Sequence, residues 1–273
     1  MKNILITGAG GFIGKNLALI LSKQKYQVLA LTVKKQKEIK NIKWLQGRLD
    51  GNYQKHLKKV DLIIHCAASG VYKKEKEKKI YKVNFHDSLQ FLKQAYKAGC
   101  KKWIILGTSG EYGYLKNEPM SVKKTKLRPI NVYGKSKVLF FKKLTQLKLI
   151  NECQILYLRI FHVYGIGEPK KRLYNGLIHA VKKNLNYKLT TGEEVRDFVS
   201  INFVVKKIIN SFKLFNKKNF FLVKHIAKGN PIKVKNFARY HWKRNKAKKL
   251  LLFGASKKKI IYHTMYSDKK SLL

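Results

Sequence analysis

Short apolar runs alternate with amphipathic stretches along the first half of the chain. Asn3 to Thr7 (NILIT) and Gln27 to Thr32 (QVLALT) predict strands, with a helix between them from Phe12 to about Lys23. Lys43 to Leu45 predicts a third strand and Asp61 to Cys66 (DLIIHC) a buried fourth. A helix follows over Tyr81 to Ala98, where Phe85, Leu89, Leu92 and Ala95 share one face. Trp103 to Gly107 is the next strand, Val132 to Leu149 a long helix, and Ile155 to Leu158 the strand after it. Strands separated by helices predict an α/β chain with a Rossmann-like, doubly wound parallel sheet. VYKKEKEKK, from Val71 to Lys79, reads as a solvated loop or helix start.

From about Gly165 the rhythm is less regular, with candidate helices at Leu173 to Lys183 and Ile201 to Leu214. The change suggests a main domain over residues 1–164 and a smaller C-terminal lobe over 165–273, interleaved with the first. HWKRNKAKKLLLFGASKKK, beginning at His241, carries no clear period.

Composition adds two constraints. With 273 residues and 45% hydrophobic content, the chain can bury a substantial core. Its apolar runs, such as WIIL at Trp103 to Leu106, are far shorter than the roughly 20 residues needed to span a bilayer. The N-terminus breaks its apolar run with glycines in place of a cleavage site, so a cytoplasmic location without a membrane span is expected. Cys66, Cys100 and Cys153 lack a CxxC pair or a histidine cluster and read as small buried hydrophobes; no metal site is expected.

The formal charge of +47 raises a nucleic-acid reading. Of the 61 basic residues, however, seven are arginine (48, 128, 159, 172, 196, 239 and 244), leaving 61 − 7 = 54 lysines spread along the whole chain. Such a bias is expressed on solvated faces, and no specific nucleic-acid partner is expected. The same bias devalues simple spacings. A lysine four residues after a tyrosine is expected by chance ~3 times, and it occurs four times, at Tyr72/Lys76, Tyr112/Lys116, Tyr133/Lys137 and Tyr266/Lys270.

The first strand runs into TGAGGFIG, with Gly8, Gly11 and Gly14 ahead of a helix. Glycines there permit a tight turn and close backbone approach, so that N–H groups at the helix start can hold a pyrophosphate. Further segments follow in order: HCAA (His65 to Ala68), KVNFHDSLQFL with Asn84, GTSGEYG (Gly107 to Gly113), YGKSK (Tyr133 to Lys137), LRIFHVYG (Leu158 to Gly165) and RDFV (Arg196 to Val199).

This ordered set, spanning about 200 residues, resembles the extended short-chain dehydrogenase/reductases that act on nucleotide sugars as epimerases, dehydratases and 4-ketoreductases. The resemblance implies Tyr133 as general acid/base, Lys137 as its partner and Thr108 as the third catalytic member. It implies cofactor contacts at Gly8, Gly11, Phe12, Ile13, Gly14, Lys34, Ala67, Asn84, Tyr133 and Lys137. Substrate contacts are implied at Thr108, Glu111, His162 and Arg196. His162 stands where the family usually has asparagine, and Arg196 matches a residue that contacts the substrate diphosphate. The 1–164 domain would bind the dinucleotide, the 165–273 lobe a nucleotide-diphosphate sugar, and a homodimer is possible.

Departures from the pattern narrow the chemistry. Dehydratases of the family follow the threonine with an Asp-Glu pair, and here Ser109 and Gly110 stand there. The second strand ends LTVKK without the acidic residue that binds a ribose 2′-OH; Lys34 and Lys35 suit a 2′-phosphate, so NADP(H) is favoured over NAD. A 4-keto-6-deoxysugar reductase is the leading expectation. A nucleotide-sugar 4-epimerase with retained NAD is the alternative, and a non-catalytic basic Rossmann module that binds nucleic acid is the reading from another class.

Overall fold

The computed structural model describes residues 1–71, 75–116, 118–169, 171–216, 218–256 and 263–273. Tyr72 to Lys74 of the VYKKEKEKK stretch, and Lys257 to Lys259 at the end of the run that begins at His241, lie outside them. The chain runs through β1 (Asn3–Thr7), α1 (Phe12–Ser22), β2 (Gln27–Thr32), β3 (Ile42–Gln46), α2 (Gln54–Leu57), β4 (Leu62–His65), α3 (Glu77–Tyr81), α4 (Ser88–Lys97), β5 (Lys102–Thr108), α5 (Val132–Thr145) and β6 (Gln154–Ile160). Then come β7 (His162–Tyr164), α6 (Leu173–Lys182), β8 (Tyr187–Lys188), β9 (Val195–Ser200), α7 (Ile201–Asn210), β10 (Phe220–Ile226), β11 (Pro231–Lys233), α8 (Val234–Arg244), β12 (Leu251–Leu252) and β13 (Thr264–Met265).

Two compact units interleave along this path. The first comprises Met1–Gly113, Lys126–Arg159 and Val205–Lys224, and the second Tyr114–Thr125, Ile160–Val204 and His225–Leu273. The chain leaves the first unit and returns to it twice.

A seven-stranded sheet in the order β10-β6-β5-β4-β1-β2-β3 forms the first unit's centre. The pairs β2–β3, β1–β2, β1–β4 and β4–β5 are parallel. One row across the sheet reads Leu29, Leu5, Ile63 and Trp103. Such unbroken apolar rows are what a sheet covered on both faces requires, and they join a core that includes Phe91, Phe140, Ile155 and Tyr157. The sheet is the doubly wound one that the alternation of strands and helices predicts.

The helix expected from Tyr81 to Ala98 is a composite. Helix α3 passes through a π-helical segment, Lys82–Asp87, into α4. A period of 3.6 does not reveal the extra residue, and segments of this kind concentrate at functional sites. Helix α5 stops at Thr145, short of the expected Leu149, and a 3₁₀ turn follows at Lys148–Glu152.

In the second unit β9 lies between β11 and β13, and β7 pairs with it in parallel, placing His162 opposite Phe198. Helices α6 and α8 flank a small core of Leu177, Ala180, Leu189, Ala238 and Trp242. The sequence pattern misses α8. Its buried Phe237, Ala238, His241 and Trp242 are surrounded by basic residues that dilute the apolar signal. Among the described residues no helix is long and apolar enough to cross a membrane.

Candidate active site

Strand β1 ends in the glycine turn at the carboxyl edge of the sheet, where open α/β folds place their ligands. Gly8 has φ +64°, and a Cβ there would lie 2.7 Å from the Ala67 backbone. The Gly8 carbonyl also accepts the Gly11 N–H at 2.9 Å, and a Cβ on Gly14 would lie 2.5 Å from the same oxygen. Neither glycine can be replaced without moving backbone. No side chain caps α1, so the N–H groups of Phe12, Ile13 and Gly14 at its first turn have no intrahelical acceptor. A pre-shaped anion cradle results, and it fits a dinucleotide pyrophosphate.

Lys34, also expected at the cofactor, is exposed just beyond β2. It lines a cleft of about 620 Å³ together with Lys35, Lys40, Lys43 and Trp44.

Behind the cradle, Thr7 and His65 close the ends of β1 and β4. Thr7 Oγ1 accepts the Ala67 N–H at 3.2 Å and lies 2.9 Å from His65 Nδ1, while His65 Nε2 lies 3.0 Å from Ser88 Oγ. Ser88 donates to the Val83 carbonyl at 2.7 Å. The serine therefore accepts from Nε2–H, and Nδ1 accepts from Thr7. Burial, aided by the Lys137 charge, pushes the His65 imidazole down to about 3, consistent with this neutral tautomer. Ala67 serves as backbone wall for the glycine turn.

Asn84 is not arranged as a direct cofactor ligand. Its Oδ1 accepts the Ser69 N–H at 2.7 Å, and its Nδ2 donates to the Ser69 carbonyl at 3.0 Å and to Ser136 Oγ at 2.9 Å. Both donor protons are spent, so the side chain ties the loop after β4 to α5.

Thr108 ends β5, and Tyr133 and Lys137 lie one turn apart near the start of α5. Asn131 caps that helix by accepting the Gly134 N–H at 2.8 Å. Thr108 Oγ1 accepts from the Gly110 N–H at 3.1 Å, which leaves its hydroxyl proton to donate elsewhere. The backbone contact expected of an ordinary strand-end threonine is thus present, and it is compatible with a hydroxyl donor. Tyr133 is partly exposed.

Lys137 is 2% exposed and the one buried lysine among the described residues. Its Nζ lies 5.4 Å from the Phe140 ring centre. Burial pushes the ammonium down to about 8, opposed by the negative charge of Glu111 and by Cys66. Cys66 is half-buried, and burial pushes its thiol up to about 12, so it is inert as a nucleophile.

Glu111 does not stand as a substrate ligand. Its carboxylate is fully buried, accepting from the Thr108 N–H (2.9 Å), the Tyr157 hydroxyl (2.8 Å) and Arg159 Nε (2.6 Å). The expectation from GTSGEYG fails because the 3₁₀ turn Ser109–Glu111 carries this side chain back into the core.

The remaining expected residues belong to the second unit. His162 and Arg196 line a pocket of about 230 Å³ with Glu168, Lys171, Arg172 and Phe198 among their neighbours. Arg196 is free of the local ion pairs that its neighbours invite. Asp197 accepts the Lys228 and Gly229 N–H groups at 2.8 Å each, and Glu193 pairs with Lys233 and Lys235. The Arg196 guanidinium instead rests on the Val195 and His263 carbonyls, at 3.0 and 3.3 Å. Burial, then Arg196, Arg172 and His263, holds the His162 imidazole well below its ordinary value, so it faces the pocket neutral. Arg172, bonded to Glu168 at 3.0 Å, is a site residue that motif reading misses. Its signal was arginine scarcity: of seven arginines only 159, 172 and 196 are not exposed, and all three serve these two sites.

Residues 4–213 match the NAD dependent epimerase/dehydratase family. The chain is 30% identical to the GDP-6-deoxy-D-talose 4-dehydrogenase of Aggregatibacter actinomycetemcomitans over 203 residues, 73% of this chain and 66% of that protein. It is 24% identical to the CDP-abequose synthase of Salmonella typhimurium over 253 residues (87% and 79%), and 28% identical to a Vibrio cholerae UDP-glucose 4-epimerase over 219 residues (76% and 66%). Among solved structures, a UDP-N-acetylglucosamine 4-epimerase from Methanobrevibacter ruminantium M1 superposes with a TM-score of 0.87 at 19% identity, covering 98% of this chain and 90% of that one. The match takes in the glycine cradle and the Thr108, Tyr133 and Lys137 segments alike, and the chain belongs to the NAD dependent epimerase/dehydratase family.

Proposed function

We propose that this protein is a reductase of nucleotide-linked 4-keto-6-deoxysugars that uses NADP(H). The observation that carries the reading is the burial of Lys137, the one buried lysine among the described residues, one helical turn after Tyr133. The chain also carries a Thr108 hydroxyl whose oxygen accepts from Gly110 N–H and keeps its proton to donate. A dinucleotide held at the glycine cradle would supply the hydride for the sugar C4. Gly8, Gly11 and the first-turn N–H groups of Phe12, Ile13 and Gly14 hold its pyrophosphate. Lys34 and Lys35, which line the cleft beyond β2, would hold the 2′-phosphate, and Ala67 would form backbone wall. Tyr133 donates its phenolic proton to the C4 oxygen as the C–H bond forms. Lys137 stabilises the resulting phenolate, and Thr108 donates a hydrogen bond to the same oxygen.

In the second unit, Arg196, Arg172 and the neutral His162 are read as the diphosphate holders, with guanidinium donors suited to paired phosphate oxygens. Absence of an Asp-Glu pair after Thr108 speaks against water elimination, since Ser109 and Gly110 offer no carboxylate for it.

The second reading, a 4-epimerase with retained NAD, draws on the UDP-glucose 4-epimerase relatives. It uses Tyr133, Lys137 and Thr108 in both directions. A panel of 4-keto sugar nucleotides offered with NADPH separates the two. Net NADPH oxidation supports the reductase, whereas tightly held NAD with no net NADPH consumption overturns it.

A further inference from the structure

We propose that Glu168 is a specificity residue of the second unit's pocket: its carboxylate accepts from the nucleoside of the nucleotide sugar and makes the pocket select a guanine nucleotide. The proposal rests on the reading of Arg196, Arg172 and His162 as diphosphate holders given above.

Glu168 stands between β7 and α6 and is fixed from three directions. Its N–H donates to the Gly165 carbonyl at 3.1 Å, its carbonyl accepts from Asn175 Nδ2 at 2.6 Å, and its Oε1 accepts from Arg172 Nε at 3.0 Å. The side chain is 2% exposed. Oε2 is buried as well, yet it has no hydrogen-bond partner among the described residues. An acceptor left unmade in the interior costs about 1–3 kcal/mol, and folded proteins keep few of them. Glu168 lines the pocket of about 230 Å³, so a ligand there can supply the missing donor. His162 Nδ1 is a second buried atom of the same pocket without a partner among the described residues.

The chemistry of the lining sorts the parts of the ligand. Lys171, Arg172 and Arg196 suit phosphate oxygens, which a carboxylate repels. Glu168 therefore belongs to an uncharged part of the nucleotide that carries donors. The reacting hexose is assigned to Tyr133 and Thr108 of the first unit, which leaves the nucleoside. The rest of the wall is aromatic: the Phe198 and Phe237 rings stack at 3.8 Å and 14°, and Tyr164 meets Phe237 edge-on at 4.9 Å. Such faces suit a planar base. Guanine presents N1–H beside its 2-amino group, a donor edge matched to a carboxylate. Uracil sets its N–H between carbonyls, which the carboxylate repels, and adenine and cytosine set an amine beside an acceptor nitrogen. A ribose hydroxyl is the competing donor, and it would act alike with every base.

Calorimetric titration of the full chain with GDP, inosine diphosphate, 2′-deoxy-GDP and UDP tests this. GDP should bind about tenfold more tightly than UDP or inosine diphosphate, which lacks the 2-amino group, and 2′-deoxy-GDP should match GDP. Glu168→Gln keeps an oxygen for Arg172 Nε. It should lower GDP affinity to the UDP level and change UDP affinity by less than about twofold.

Equal affinities for GDP, inosine diphosphate and UDP in the wild type overturn the proposal without any variant. An equal loss for GDP and UDP in E168Q also overturns it, by reducing Glu168 to a prop for Arg172. So does a preference for GDP over 2′-deoxy-GDP that E168Q abolishes, which would assign Oε2 to the ribose. If none of the four nucleotides binds, the diphosphate reading fails together with the proposal.

Discussion

Asn84 Nδ2 donates to Ser136 Oγ at 2.9 Å, and Ser136 in turn donates to the Tyr133 carbonyl at 2.7 Å. A side chain in the π-helical segment thereby holds the turn of α5 between Tyr133, the proposed proton donor, and Lys137, its proposed partner. Asn84→Ala breaks three hydrogen bonds and leaves the Ser69 backbone groups without their partner. It should cost about 2–3 kcal/mol of stability, read as a lower denaturant midpoint, and should reduce kcat more than dinucleotide affinity.

Burying Lys137 opposes folding. Its pKa of about 8 in the folded protein lies below the ordinary 10.5, so between these values the unfolded chain binds more protons and stability rises with pH. Below pH 8 the cost is greatest, about 3 kcal/mol. Lys137→Met should therefore be inactive yet more stable than the wild type at neutral pH, with the advantage fading towards pH 10.5. Chemical denaturation at a series of pH values reads this difference directly.

The glycine cradle is strict. Ala at position 8 meets both a positive φ and the Ala67 backbone, so Gly8→Ala should abolish dinucleotide binding. Calorimetric titration with UDP or GDP should remain unchanged, because the basic pocket belongs to the other unit.

Cofactor preference should reside in the lysines after β2. The double substitution K34A/K35A should lower the NADPH-to-NADH ratio of kcat/KM by roughly tenfold or more, through loss of charge-assisted contacts to a 2′-phosphate. An unchanged ratio would remove the basis for NADP.

Arg196→Lys keeps the charge and loses the planar fork, so nucleoside diphosphate affinity should fall about tenfold. The remaining binding should become more sensitive to salt, as expected for a point charge in a half-exposed pocket.

Much of the first unit was legible because its local signals agree. The strands are short, buried on both faces and therefore nearly all apolar, and the glycine turn announces itself by spacing. The Tyr133/Lys137 pair was not legible from spacing in a chain with 54 lysines; burial is what separates Lys137 from the lysines of the other pairs. Glu111 was misread because its partner Arg159 lies 48 residues away, and only the fold brings them to 2.6 Å. The resemblance implies Asn84 at the cofactor, whereas the fold commits both its amide protons to Ser69 and Ser136, which lie far from it in sequence. Helix α8 escaped notice because a few apolar residues suffice to bury one face when the rest of the surface is lysine and arginine.

Turnover by wild type and Tyr133→Phe, measured as NADPH oxidation against a panel of nucleotide-linked 4-keto-6-deoxysugars, tests the central claim most directly. NADPH consumption matched by reduced sugar in the wild type is expected. Tyr133→Phe should show none while still binding NADPH. Equal turnover by both proteins, or a wild type that retains NAD and consumes no NADPH, would contradict the account.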